Sequence, residues 1–292
     1  MPLSASELSA LPCTEFVDAI GSVYEKSPWI AERAHAAGPY DSLAALASGL
    51  KTVVVNATKE EQLSLIRAHP DLAGKAALAG ELTAESTDEQ ARAGLGSLTP
   101  DEMARFVALN DQYKAKFGFP FILAVRNARK GVILAAFAHR INNTESAELA
   151  ECLTQIYKIA WMRLRMLVAP NPTGFLTCHV LDTARGCPAA GMAISLKRLD
   201  DATGQWVTLS THITNSDGRL DGGPALKGDS FVVGTYEWTF GVGDYFASCS
   251  VPTSGTQFLA DVPLRFGIDD PEAHYHVPLL CSPWSYSTYR GS

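Results

Sequence analysis

Ala169-Pro170-Asn171-Pro172-Thr173-Gly174 is the stretch on which the fold turns. Two prolines and a glycine in six residues cannot continue a helix, and the pattern differs on its two sides. Upstream, residues 14–168 read helical. Phe16, Val17, Ile20, Val23 and Tyr24 share one helical face. Ser42 can cap a run carrying Leu43, Leu46, Leu50 and Val53. Thr99-Pro100-Asp101-Glu102 is a helix start, with a cap residue, Pro at the first helical position and Glu three after the cap. That helix, with Phe106, Leu109, Asn110 and Tyr113, stops before Gly118 and Pro120. From Glu145 to Leu167, Leu149, Leu153, Ile156, Ala160, Leu164 and Leu167 recur at helical spacing. Val53-Val54-Val55 is the only β-branched run of this half. Downstream the period becomes two. LTCHVLD, MAISLKRL, WVTLSTHIT, TYEWTF, FLADVPLRF and HYHVPLL are short runs between Gly, Asp, Asn and Pro clusters, with one short helix over Val242 to Ser250. The expectation is an all-α helical bundle over residues 1–168, a Pro/Gly linker over 169–174 and an all-β sandwich over 175–292, with two separate cores.

Composition agrees with two ordinary globular domains. The 292 residues are 47 % hydrophobic and 19 % charged, far from the corner of disorder. The net charge of −7 argues against binding nucleic acid through phosphate neutralisation. No segment approaches the ~20 apolar residues of a membrane span, and MPLSASELSALPC lacks the basic and apolar regions of a secretory signal. The six cysteines form no C-x-x-C pair and lie in stretches such as LTCHV and LLCSP; they read as reduced, buried, small hydrophobes.

Four features of the helical half can carry chemistry. In His69-Pro70-Asp71-Leu72 a histidine precedes a proline at a helix end, where its ring can face a pocket. Ser86-Thr87-Asp88-Glu89-Gln90-Ala91-Arg92-Ala93-Gly94-Leu95 is dense in hydrogen-bonding groups at a helix start. Phe117-Gly118-Phe119-Pro120-Phe121-Ile122 is aromatic and turn-rich. Arg163 lies on a helix whose other face is apolar. A His, a carboxylate, an amide and an Arg suffice for proton transfer on a small anionic substrate. Read singly, each has a structural alternative: a helix-end His, first-turn acids that complement the helix dipole, an Arg paired with a surface carboxylate.

In this order HPDL, S-x-x-E-Q-x-x-A-G-L, F-G-F-P-F-I and I-A-x-x-R-L (Ile159 to Leu164) resemble 2-oxo-4-hydroxy-4-carboxy-5-ureidoimidazoline (OHCU) decarboxylase, over about Thr14 to Val168. The resemblance implies a cofactor-free, metal-free decarboxylation late in urate breakdown, giving (S)-allantoin. It makes His69 the catalytic histidine with Glu89 and Arg163 as its pocket partners. Pro70, Ser86, Gln90 and the backbone around Phe121 and Ile122 become the substrate cradle. Arg163 would hold a substrate carboxylate or carbonyl by a bidentate contact.

In the β half, His179 lies inside LTCHVLD, Arg219 ends the turn-like Ser216-Asp217-Gly218-Arg219, and His274 and His276 would face one side of a strand. Each histidine has a reading as a hydrogen-bonded strand residue. A paired-His zinc site is a further alternative, lacking a nearby Cys or Glu to complete a ligand pattern. H-V-L-D, S-D-G-R, H-Y-H-V-P-L-L and the terminal Y-R-G-S together resemble 5-hydroxyisourate hydrolase, the transthyretin-like enzyme of urate catabolism, over about Thr173 to Ser292. The resemblance implies a homotetramer with sites in a channel at the dimer–dimer interface. His179, Arg219 and His276 match the catalytic positions; Tyr289, Arg290, Gly291 and Ser292 match the segment lining the site. The resemblance favours His276 over His274, because His276 stands sixteen residues before the terminus as the family pattern has it. A neutral histidine would activate water and Arg219 would stabilise the oxyanion of a cyclic amide hydrolysis. The sequence departs from the compact family form at Asp200-Asp201-Ala202-Thr203-Gly204 and Gly222-Gly223-Pro224, read as surface loops.

The product of the second activity is the substrate of the first, so the pair resembles a bifunctional allantoin synthase, with 5-hydroxyisourate and OHCU as its small-molecule partners. Tethering raises the local concentration of the second site; channelling does not follow from it. The alternatives are a transthyretin-like carrier of a small aromatic ligand fused to a helical oligomerisation domain, or one degenerate half. The expected compartment is the cytoplasm, with the peroxisome as the alternative, since the sequence does not end in a Ser-Lys-Leu signal.

Overall fold

The computed structural model describes residues 2–73, 83–92, 95, 98–125, 129–249, 251 and 256–291, and divides into two units, Met1–Ala169 and Pro170–Ser292. The helices of the first unit that start at Leu43, Lys59, Pro100 and Glu145 each begin on a side-chain cap. The elements are α1 (Ala5–Ser9), α2 (Cys13–Ile20), α3 (Trp29–Ala37), α4 (Leu43–Val55), α5 (Lys59–Ala68), α6 (Ala84–Arg92), α7 (Pro100–Phe117), α8 (Lys130–Arg140) and α9 (Glu145–Leu167). Ser42 caps α4, and Thr99 and Glu102 form the reciprocal capping box of α7, which ends on left-handed Gly118. Val53-Val54-Val55 forms the end of α4 despite its β-branching, with Val54 buried, Val53 half-buried and Val55 exposed. The first apolar face is shorter than its period suggests. The α-helix stops at Ile20, Gly21–Val23 is a 3₁₀ turn and Tyr24 is extended, so Val23 and Tyr24 reach the core from a turn. The long α9 packs on α2, α4 and α5. Its buried stripe is not wholly apolar: Glu148, Gln155 and Arg163 lie in it, so Arg163 belongs to the buried face rather than to the opposite one.

The second unit is built from β1 (Phe175–Thr177), β2 (Val180–Asp182), β3 (Cys187–Pro188), β4 (Ala193–Leu199), β5 (Trp206–Ile213), β6 (Leu226–Lys227), β7 (Gly234–Gly241), α10 (Val242–Ser248), β8 (Asp261–Ile268), β9 (His274–His276), β10 (Leu279–Cys281) and β11 (Tyr286–Ser287). One sheet is antiparallel in the order β5-β4-β7-β8. Two smaller ladders, β6-β1-β9 and β11-β10-β2-β3, each contain one parallel pair, β1 with β9 and β2 with β10. LTCHVLD and HYHVPLL are therefore each two strands, interrupted at Cys178-His179 and Val277-Pro278, where Pro278 has no N–H to give a ladder. Val277 N–H to Thr177 O and Leu279 N–H to His179 O, at 3.0 and 2.9 Å, carry the pairing across the break. Trp238, Tyr236, Phe240, Leu196, Val180 and Leu279 fill one core from both sheets. FLADVPLRF becomes a strand only from Asp261; Phe258 is exposed.

Pro170–Gly174 is tied to this unit by Asn171 N–H to Glu272 Oε1 (2.8 Å) and Thr173 Oγ1 to Glu272 O (3.1 Å). The loops at 200–204 and 222–223 are exposed turns. All six cysteines are free thiols, but only Cys152, Cys178 and Cys281 are buried. Cys187 and Cys249 are half-buried and Cys13 is exposed, because it opens α2 on its solvent side. No helix among the described residues is long and apolar enough to cross a membrane.

Candidate functional site

In the helical unit, His69 caps the C-terminus of α5, and Pro70 turns the chain away. His69, Pro70, Ser86, Glu89, Gln90, Phe121 and Ile122 line one pocket with Leu72, Leu123, Val125 and Ile159. His69 Nδ1 lies 2.9 Å from the Leu65 carbonyl, which only accepts, so Nδ1 carries the proton and Nε2 offers a lone pair. His69 is 7 % exposed, and burial, together with the charge of Arg163, pushes its pKa down to about 4 against the opposing pull of the Leu65 carbonyl and Glu25. The ring is a neutral base at neutral pH.

Arg163 sits beneath the pocket, 4 % exposed. Its Nε and Nη2 donate to Glu89 Oε1 and Oε2 at 2.8 and 3.1 Å, Nη2 also donates to Ser86 Oγ at 3.2 Å, and Nη1 donates to Glu25 Oε2 at 2.8 Å. These bonds engage four of the five guanidinium donors. The fork expected to grip a substrate carboxylate is occupied in this arrangement by Glu89, with Ser86 on the same nitrogen. Gln90 is likewise engaged: it accepts from Ala73 N–H (2.9 Å) and donates to Asp71 O (3.2 Å), which locks the turn after His69 onto α6. Lys114 holds the same turn through Asp71, at 2.7 Å.

The sequence reading missed Glu25. It is 2 % exposed and accepts from Arg163, from Ser86 Oγ at 3.1 Å and from Thr83 Oγ1 at 2.8 Å. Burial presses its pKa upward, but Arg163 and the bonds from Thr83 and Arg163 outweigh burial and hold the carboxyl below its ordinary value. Arg163, Glu25 and Glu89, when ionised, leave a net single negative charge beside His69. Of the motif at 86–95, Ala93 and Gly94 lie outside the described residues.

In the β unit, His179 occupies the break between β1 and β2 and pairs with Arg219 across an isolated bridge. Gly218, at φ +70°, makes that possible: a Cβ there would lie 2.3 Å from the Val180 carbonyl. Thr177, part of LTCHVLD but not among the expected site residues, stands between two rings, with His274 Nε2 and His276 Nδ1 each 2.8 Å from its Oγ1. His274 and His276 do share a side. Partial burial and the charge of Arg219 hold both His179 and His276 below the ordinary histidine pKa, His276 further through its two fellow histidines. Among the described residues no three His, Cys, Asp or Glu groups gather as metal ligands. The terminal segment folds back onto His276: Gly291 N–H donates to His276 O at 2.9 Å and His276 N–H to Gly291 O at 3.4 Å. Arg290 stacks on the Tyr275 ring, 4.3 Å from its centroid, and Tyr289 is exposed. Ser292 lies outside the described residues.

Two families account for these two clusters. Residues 9–165 match the OHCU decarboxylase family and residues 176–291 the HIUase/transthyretin family. A 2-oxo-4-hydroxy-4-carboxy-5-ureidoimidazoline decarboxylase of Halalkalicoccus jeotgali is 41 % identical over 169 residues, 58 % of this chain and 94 % of that protein. A 5-hydroxyisourate hydrolase 2 of Rhizobium meliloti is 55 % identical over 122 residues, 42 % of this chain and 99 % of that protein. A crystal structure of (S)-allantoin synthase aligns with 99 % of this chain and 100 % of its own at 45 % identity and a TM-score of 0.85. The chain therefore belongs to the OHCU decarboxylase family through its helical half and to the HIUase/transthyretin family through its β half.

Proposed function

We propose that the chain carries out two consecutive steps of urate catabolism, hydrolysing 5-hydroxyisourate in residues 175–292 and decarboxylating the resulting OHCU to (S)-allantoin in residues 1–168. The observation that carries the reading is the pocket in which a neutral His69 faces Glu89 and Ser86, themselves oriented by Arg163 and Glu25. Decarboxylation breaks the bond between the ring carbon at position 4 and its carboxylate. Carbon dioxide leaves, and the electron pair passes into the conjugated ring. His69 Nε2 can take the proton of the hydroxyl at the same carbon as that oxygen becomes a carbonyl. A proton delivered to one face of position 5 then sets the S configuration, and solvent supplies the proton that balances the lost charge. The apolar walls from Leu72, Val125 and Ile159 exclude water from the developing negative charge.

In the β unit a neutral His179 or His276 can activate water, and Arg219 can stabilise the tetrahedral oxyanion. Arg219 is exposed and the histidines are half-buried in a single chain. An open cluster of this kind, in a unit that also exposes Tyr286 and Tyr289, fits completion of the site by other copies in a tetramer. The test is circular dichroism of the allantoin formed from urate and a urate oxidase. Rapid accumulation of the S enantiomer is expected. His69→Asn should leave fast hydrolysis with slow, racemic allantoin, and His276→Asn should leave 5-hydroxyisourate to accumulate. Acceleration of neither step would put the carrier reading first.

A further inference from the structure

The wall of the decarboxylase pocket has an unusual support. Phe119–Val125 has no regular secondary structure, yet Phe119, Phe121, Ile122 and Val125 are all buried. Backbone groups buried without a ladder need partners from side chains. Arg140 Nη1 donates to the Ile122 carbonyl at 2.6 Å, and its guanidinium carbon lies 4.4 Å from the centroid of the Phe121 ring. Ile122 N–H is directed to the Cys152 sulfur, and Ala124 N–H donates to Gln155 Oε1 at 3.1 Å. The charge of Arg140 is met by Glu148, with Nη2 at 2.5 Å and Nε at 2.8 Å from Oε1. Glu148 is fully buried and also accepts from the Tyr113 hydroxyl and from Asn143 Nδ2 at 2.7 Å. A buried ion pair of this kind is a weak source of stability compared with apolar residues of similar volume. What it supplies here is a fixed place for Ile122, a residue that lines the pocket with His69 and Glu89.

We propose that Arg140, held in place by Glu148, is a positioning residue for decarboxylation. By gripping the Ile122 carbonyl it fixes the wall against which the ring lies and so decides which face of the carbon at position 5 receives its proton. The inference rests on the decarboxylase reading above. Arg140 itself touches the wall and not the substrate.

The test uses the full chain with Arg140→Met and Glu148→Leu combined, which removes both charges together, and Arg140→Lys alone. Helix content by circular dichroism, the kinetics on OHCU and the enantiomeric excess of the allantoin are read for each. If the double variant keeps its helix content, kcat/KM on OHCU should fall at least about ten-fold, because small displacements of a positioned group are costly. The enantiomeric excess should fall with it, while 5-hydroxyisourate hydrolysis is unchanged. Arg140→Lys, which keeps one cationic donor for the carbonyl, should restore most of the enantiomeric excess. A folded double variant with kcat/KM within about two-fold and undiminished enantiomeric excess, even at a lower melting temperature, overturns the proposal. Should the double variant not fold, Arg140→Gln combined with Glu148→Gln, which removes both charges at nearly constant shape, takes its place: a fall in kcat/KM and in enantiomeric excess in a folded protein supports the proposal, and wild-type values of both overturn it. Racemic product from the wild-type chain would instead refute the decarboxylase reading itself.

Discussion

Gly291→Ala isolates the terminal segment from everything else in the chain. A Cβ at this position would lie 2.8 Å from His276 Cδ2 and 3.1 and 3.2 Å from its Cβ and Cγ. The ring has little room to retreat, since Thr177 fixes its Nδ1 at 2.8 Å. The tail must give way instead, and it is held at this point by one good backbone bond of 2.9 Å and one long one of 3.4 Å. At about 1 kcal/mol for the first and about half that for the second, displacement forfeits about 1.5 kcal/mol. That corresponds to about a ten-fold loss of the docked tail. If the docked tail completes the hydrolase site, kcat/KM for 5-hydroxyisourate, followed as its loss of absorbance, should fall by about the same factor. Decarboxylation of OHCU by the same preparation should not change, because the helical unit has its own core and its own site. Wild-type hydrolysis by the variant would refute the role given to the terminus. An equal fall in both activities would mean that the damage is general and that the steric reasoning is wrong.

Glu25→Gln preserves shape but removes the negative charge that favours protonated His69. Decarboxylation should fall by about ten-fold or more, its acid limb should move to lower pH, and the melting curve should show a loss of about 1–3 kcal/mol. Thr177→Val removes the hydroxyl shared by His274 and His276. Hydrolysis should drop by about ten-fold or more with decarboxylation untouched, and the His276 ring resonances should titrate at a changed pH. His69, with a pKa near 4 when folded against an ordinary 6.5, binds fewer protons folded than unfolded in that window. Stability is therefore retained above about 6.5 and lost as pH falls towards 4, by up to roughly 3 kcal/mol from this group; in urea titrations His69→Asn should flatten that part of the slope.

What could be read from the sequence follows from which interactions are local. The bounds of α7 and α9 are set by caps and an apolar period lying within the helices themselves. The histidine at the end of α5 was legible because Pro70 dictates that end. The interruption of LTCHVLD was not legible, because it is imposed by a partner about a hundred residues away whose Pro278 breaks the same ladder. Glu25 escaped for a similar reason. Its partners Thr83, Ser86 and Arg163 are 58, 61 and 138 residues distant, and nothing adjacent to it announces a buried carboxylate. Arg163 was found as a residue, yet its engagement by Glu89 was invisible, since counting free guanidinium donors requires the partners in place. Gly291 was noted within a motif, but the reason that only glycine fits lies in the His276 ring.

The three histidines proposed to do chemistry share a location that neither regular element could provide by itself. His69 is the cap of a helix, His179 stands between two strands, and His276 ends the strand before Val277-Pro278. In mid-helix or mid-strand a side chain points either to the core or to solvent. A buried ring there is desolvated but unreachable, and an exposed ring is reachable but keeps its ordinary pKa. Where an element stops, the ring can be lined on one side by protein and open on the other to a ligand. Desolvation then lowers the pKa of all three rings, with His179 and His276 left half-exposed and His69 at the wall of a pocket. Both units thus hold their histidines neutral at neutral pH by the same physical means. If these rings are the bases of the two steps, both steps call for the neutral ring, and one chain can supply it to both in one solution.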